Sequence, residues 1–344
     1  MQPITRFACV TALIACTTGV MANTADNGAQ EQWHQAIQTG YSSLAAQTGQ
    51  LATAAADYCE SPGPERRERL NNAWLDAFLA WQEVRFVNFG PVENNNLSWQ
   101  FQFWPDPKNL IARKANYLFS LDAPVDKAMI EQSGVAVQGF PMVEFLLFDE
   151  QLNTGANALP GGKSCAVLTE VTQHINRNSE DLANNWANFK NHYLTTEQYR
   201  DANIKAGMTA LEILEERRLA QPMGLRGNGK RNPYISDAWR SGKSLMTVEA
   251  TVTGLKEYYL PGLSLLLESA GKPDLSERIS KQFDRVADNF PEANVPMATL
   301  LANDDRFRIL QGLYVDVSQL ATLINNEAAV ALGIVRGFNS SDGD

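Results

Sequence analysis

Apolar residues recur along this chain every three or four positions, the period of an α-helix with one buried face. Trp33, Ile37, Tyr41, Leu44, Leu51, Ala55 and Tyr58 mark a first long helix over 29–59. Ser61-Pro62-Gly63-Pro64 breaks it, and Leu70, Trp74, Ala77, Trp81 and Val84 mark a second helix packed antiparallel on the first across that short turn. Further stripes follow. Val167, Val171, Ile175, Leu182, Trp186 and Phe189 form one, and another helix runs from about Thr195 to Ala220. Leu245, Val248, Val252, Leu255 and Tyr259 form a stripe that Pro261-Gly262 ends, and two more run over 275–290 and 307–324. No segment alternates with period two between hairpin turns, so the class is all-α, with helices long enough for bundles.

Three stretches depart from this pattern. Between Asn88 and Trp104 the periodicity fails, which reads as a loop, and Asp106 is placed to cap a helix starting at Pro107 and continuing to Ser120. Gln221 to Ser236, with two prolines and three glycines, reads as a second irregular stretch. The third departure is Gln138 to Phe148. Gly139 and Phe140 lead into a helix whose first residue is Pro141, where a missing N–H costs nothing. The helix is apolar all round, with Met142, Val143, Phe145, Leu146, Leu147 and Phe148, except for Glu144 about one turn in. A lone acid entering a core needs partners, and finding them is the functional question.

The 344 residues allow two domains, and a boundary near residue 190 divides the helices into an N-terminal bundle, 23–190, and a C-terminal bundle, 191–344. Residues 1–22 read as an export signal: Arg6 supplies a positive start and Phe7 to Ala15 an apolar run of the right length. Two processing sites compete. Leu13-Ile14-Ala15-Cys16 has the form of a lipobox that would leave Cys16 lipidated, whereas Val20-Met21-Ala22 suits ordinary cleavage before Asn23. Both readings place the protein in the periplasm or attached to the outer membrane of a bacterium, with a lipid anchor as its sole membrane link.

The net charge of −10, one unit more negative once Arg6 is removed, disfavours nucleic acid as a partner. Cys9 and Cys16 belong to the signal, which leaves Cys59 and Cys165 as the single intramolecular pairing in an oxidising compartment; the alternative is two separately buried thiols.

Histidine chemistry is thinly supplied. His34, His174 and His192 stand apart, and Glu170 and His174 share a helix face as an ordinary i, i+4 pair. Gly224 to Lys230 is glycine-rich but lacks the spacing of a phosphate loop. Asp237-Ala238-Trp239-Arg240-Ser241-Gly242-Lys243-Ser244 is richer, gathering polar groups just before a helix that Ser241 could cap, with Ser244 in its first turn. Arg240 is the candidate charge partner of Glu144 or Asp106. Trp81, Trp104 and Trp239 each flank an irregular stretch beside charged residues and could line a pocket between two bundles with them.

Four stretches in this order resemble the imelysin family of exported bacterial proteins: Ala80-Trp81-Gln82 through Phe89-Gly90-Pro91-Val92, Phe103-Trp104-Pro105-Asp106, Gln138 to Leu147, and Trp239 to Leu245. The likeness implies two helical bundles side by side with a site at their interface, and a link to iron acquisition. The family was classed as metallopeptidases for a Gly-x-His-x-x-Glu motif. Here that motif reads Gly139, Pro141, Glu144, and proline offers no lone pair to a metal. The expected function is therefore binding without catalysis, of a small ligand or metal ion that is iron-related, in an interdomain cleft containing Glu144, Asp106, Arg240, Ser241, Ser244, Trp81, Trp104 and Trp239. Glu144 and Asp106 would supply hard oxygen ligands to a metal, or Glu144 would hold Arg240 ready for an anionic chelate. The alternatives are a metallopeptidase with a rearranged site and an interaction module for other envelope iron-uptake proteins.

Overall fold

The computed structural model describes residues 17–290 and 295–334, with side chains described from residue 26. Cys16 and most of the expected export signal lie outside the described residues. The helices are α1 (Thr17–Glu60), α2 (Pro64–Val84), α3 (Leu97–Phe101), α4 (Leu110–Ser120), α5 (Lys127–Gln132), α6 (Phe140–Phe148), α7 (Glu150–Thr154) and α8 (Gly162–Thr195) in the first half. The second half supplies α9 (Gln198–Glu212), α10 (Ser244–Gly254), α11 (Leu260–Ser269), α12 (Pro273–Asp288), α13 (Met297–Leu301), α14 (Asp304–Thr322) and α15 (Ala329–Ala331). Among the described residues there is no strand, and no helix is long and apolar enough to cross a membrane.

α1 is the spine. Its stripe of Trp33, Ile37, Tyr41, Leu44, Leu51 and Ala55 is fully buried. It packs along α8 and α2 and against α11, so helices of both halves close on one helix. The Trp33 indole donates to the carbonyl of Tyr259 (2.7 Å), and Gly262 lies so close to the same indole that a methyl group there would collide with the ring. The buried side chains form one continuous core across both halves. The boundary expected near residue 190 falls in the last turns of α8.

Cys59, at the end of α1, is bonded to Cys165, at the start of α8, with a Cα–Cα distance of 5.6 Å. The bridge ties the two longest helices together at one end.

Several boundaries differ from the pattern-based expectation, each for a local reason. The stretch after Asn88 is not irregular throughout: a 3-10 segment, Gly90–Asn96, leads into α3. The helix expected from Pro107 begins at Leu110, because Asn109 adopts a left-handed conformation (φ 51°) that interrupts the turn. The helix expected from Thr195 to Ala220 starts at Gln198, after extended Thr196, and becomes a π-helical segment over Ile213–Ala220. Pro261 does not end its helix. A π-helical turn, Leu255–Tyr259, precedes it and joins α10 to α11, and Pro261 follows that wider turn without ending the helix.

Candidate functional site

The start of α6 is set by close packing. Gly139 sits against the carbonyl groups of Gln100 and Phe101 at the end of α3, where any side chain would overlap backbone oxygens. Pro141 occupies the first turn of α6, where its lack of a donor is harmless. One turn on, Glu144 projects from an otherwise apolar helix and is 3 % exposed.

Its partner comes from the other half of the chain. Both the backbone N–H and the hydroxyl of Ser241 donate to Glu144 Oε1, each at 2.9 Å. Ser241 is therefore not the cap of the following helix; α10 begins three residues later at Ser244, and Lys243 holds the cap position. The turn that presents Ser241 is pinned by Lys243 N–H to Ala238 carbonyl (3.0 Å) and by Ser244 Oγ to Asp237 carbonyl (2.7 Å), with Gly242 at φ 72°. Burial pushes the Glu144 carboxyl up to about 6; the two bonds from Ser241 and the charge of Arg240 pull the other way.

Arg240 pairs with Asp149, not with Glu144: its Nε donates to Asp149 Oδ2 at 3.0 Å, and Nη2 donates to Asn109 Oδ1 at 3.3 Å. Asp149 follows α6 directly and also caps α7 through Leu152 N–H (3.1 Å), so it reaches the arginine while Glu144 is already committed to Ser241. The Arg240 guanidinium lies over Trp239 at 4.3 Å and Phe145 at 5.3 Å from the ring centres.

Above these groups opens a cavity of about 630 Å³, between the segment after α3, the α6–α7 corner and the stretch before α10. Glu144, Asp106, Arg240, Trp104, Trp239 and Pro141 all border it. Trp104 Nε1 donates to the Ile235 carbonyl (3.1 Å), which links the two irregular stretches across the cleft, and Tyr234 meets Trp239 edge-on at 5.1 Å.

Two other expected members, Trp81 and Ser244, take different places, and Asp106 has a different role. Trp81 is core: it is 1 % exposed, packs on Phe101 at 4.6 Å and donates to Gln102 Oε1 at 3.0 Å. Ser244 is buried beneath the Asp237 turn. Asp106 borders the cavity, yet both its oxygens accept backbone N–H groups, from Leu110 (2.7 Å) and Ile111 (3.0 Å), so it caps α4.

The donor set consequently does not fit a metal held by protein ligands alone. Glu144 Oε1 and both Asp106 oxygens are engaged, and among the described residues no three His, Cys, Asp or Glu side chains are gathered as a metal would require. The histidines are elsewhere. His34 Nε2 donates to the Trp186 carbonyl and its ring stacks on the Trp186 ring, burial pushes His174 down to about 4 beside Gln100, and His192 lies against Phe189 and Tyr199.

Two acids were not singled out by the sequence pattern. Asp149 could have been found as a polar residue immediately after an apolar helix. Asp237 lies at the floor of the cavity and joins a buried network: Thr247 Oγ1 and Gln102 Nε2 donate to it, at 3.1 and 3.2 Å, and Arg218 Nη2 lies 2.9 Å away. Arg218 carries no sequence mark, because a buried arginine within a π-helical segment looks like a surface residue in the helical pattern.

Fold and cleft together define an all-helical protein whose two halves close around a shared helix, with a buried carboxylate and a stacked arginine bordering a cavity of mixed polar and apolar lining. The chain belongs to the imelysin family, whose model matches residues 37–324. An imelysin-like protein from Psychrobacter arcticum 273-4 superposes with a TM-score of 0.76 at 19 % identity, over 95 % of this chain and all of that one. A protein described as an iron-regulated protein A precursor, from Parabacteroides distasonis ATCC 8503, superposes with a TM-score of 0.67 at 15 % identity, over 92 % of this chain and 97 % of that one. No curated protein is detectably similar in sequence.

Proposed function

We propose that this is an exported, non-catalytic binding protein of bacterial iron acquisition, and that its ligand occupies the cavity between the α6–α7 corner and the turn before α10. The observation that carries the reading is that a buried carboxylate and an ion-paired, ring-stacked arginine border the same cavity wall. Glu144 is fixed by two donors from Ser241, and Arg240 is stacked on Trp239 while sharing its charge with Asp149. A planar guanidinium with aromatic neighbours suits a planar or carboxylate-bearing chelate. The chelate brings the metal with its own donors, which answers the shortage of protein ligands. The iron-regulated description of the Parabacteroides protein and the family's export signal favour a periplasmic or outer-membrane-attached setting. The peptidase reading has less behind it, since a catalytic zinc takes three protein ligands and a water and Pro141 stands where the family motif has histidine.

The test is calorimetric titration of the purified protein with ferrous iron, ferric iron and haem, alongside Glu144→Gln. The expected result is saturable binding of an iron species by the wild type, lost in a variant that keeps its helical spectrum. Equal affinity in both proteins would move the site away from α6. Absence of binding to all three would favour an envelope interaction module, with Glu144 as a structural acid.

A further inference from the structure

Behind the floor of this cleft, on the far side of Asp237, lies a second and smaller cavity of about 60 Å³. Arg85 from the end of α2, Arg218 from the π-helical segment after α9, Thr251 from α10, Thr209 from α9 and Asn88 border it on one part, and the apolar Phe86, Ala206, Ala210 and Ile213 on the rest. Two cations therefore face a space large enough for one small ion, given that about 10–15 Å³ on this measure holds a water.

The local charge does not balance. Arg218 is 2 % exposed and the Arg85 side chain 22 %, and both remain protonated at neutral pH. Asp237 is the carboxylate that acts on both, 2.9 Å from Arg218 Nη2 and 3.8 Å from Arg85 Nη1. The acids on the same segment as Arg218 are engaged elsewhere: Glu215 accepts from the Ser318 hydroxyl, and Glu216 pairs with Arg226. Glu83, two residues before Arg85, faces Tyr258 and Glu257 instead. Two guanidinium groups against one carboxylate leave one positive charge in a buried setting, and buried charge is expensive unless it is paired.

Hydrogen bonding is incomplete in the same place. Arg218 Nη1 donates to Thr251 Oγ1 at 2.6 Å and Nη2 is held by Asp237, but among the described residues the buried Nε has no hydrogen-bond partner. Nε is thus a charged donor beside the cavity with nothing to receive its proton, which a bound anion would supply. Burial and the neighbouring Arg218 also push Arg85 down to about 10, as expected for two cations held together.

We propose that the cavity between Arg85 and Arg218 is a binding site for a small monovalent anion of about the size of chloride. Charge sets the valence, since one negative charge neutralises the cluster. Volume sets the size. Asn88 is exposed and Arg85 partly so, which gives an ion access from solvent.

The experiment uses bromide on the purified protein. Thermal unfolding is followed as bromide replaces gluconate at constant ionic strength, and crystals soaked in bromide are examined for anomalous scattering. A saturable rise in Tm and an anomalous peak between the two guanidinium groups are expected. Arg85→Gln removes the surplus charge while leaving Arg218 beside Asp237, and it should abolish the saturable rise. Identical unfolding in bromide and gluconate with no peak would overturn the site, as would an Arg85→Gln protein that keeps the response. Should Arg85→Gln not fold, the wild-type peak decides alone.

Discussion

Glu144 is a residue at the site whose protonation the fold controls. Its carboxyl titrates near 6 in the folded protein against 4.5 for an ordinary glutamate, chiefly because burial disfavours the charged form. Between those values the folded protein holds a proton that the unfolded chain has released, so stability falls as pH rises through 4.5 to 6. The loss is at most about 2 kcal/mol, because a tenfold change in proton affinity corresponds to roughly 1.4 kcal/mol. Glu144→Gln should therefore be more stable than wild type at pH 7.5 by up to that amount, with the gap closing below pH 4.5. Urea unfolding of both proteins at the two pH values measures this, and parallel pH dependences would show that Glu144 is not the titrating group. The site was partly legible at this scale: an acid in an all-apolar helix is conspicuous. The identity of its partner was not, since Arg240 lies closer in chemistry but Ser241 and Asp149 win by position.

Among the elements, α6 depends on how close its start comes to α3. Gly139→Ala would push a methyl group into the carbonyls of Gln100 and Phe101, backbone atoms that cannot step aside as a side chain could. The expected cost is about 1–3 kcal/mol or more from overpacking, together with a displaced Glu144 and weaker ligand binding. Denaturant unfolding with titration on the same sample checks both; an unchanged midpoint would mean that α6 and α3 can separate freely. The long helices were legible from their stripes, because burial of a face imposes period. The π-helical turns were not, since one extra residue in a turn shifts the stripe without erasing it. That is why Pro261 reads as a break in the sequence and is none in the structure.

At the scale of the molecule, the Cys59–Cys165 bond closes a loop of about a third of the chain, with a sequence separation of 106 residues. In the chain-entropy model such a loop stabilises by about 4–5 kcal/mol. Replacing both cysteines with serine should lower the free energy of unfolding by that order, read from the urea midpoint with the slope unchanged; an unmoved midpoint would place the stabilisation in packing alone. All-α architecture was readable from the sequence, whereas the sharing of α1 was not, because a stripe shows that a face is buried and not what covers it. That sharing bears on how the molecule unfolds. α8 from the first half and α11 from the second both pack on α1, and the buried side chains run on from one half into the other. Heating is therefore expected to melt both halves in one cooperative step, with a single calorimetric peak.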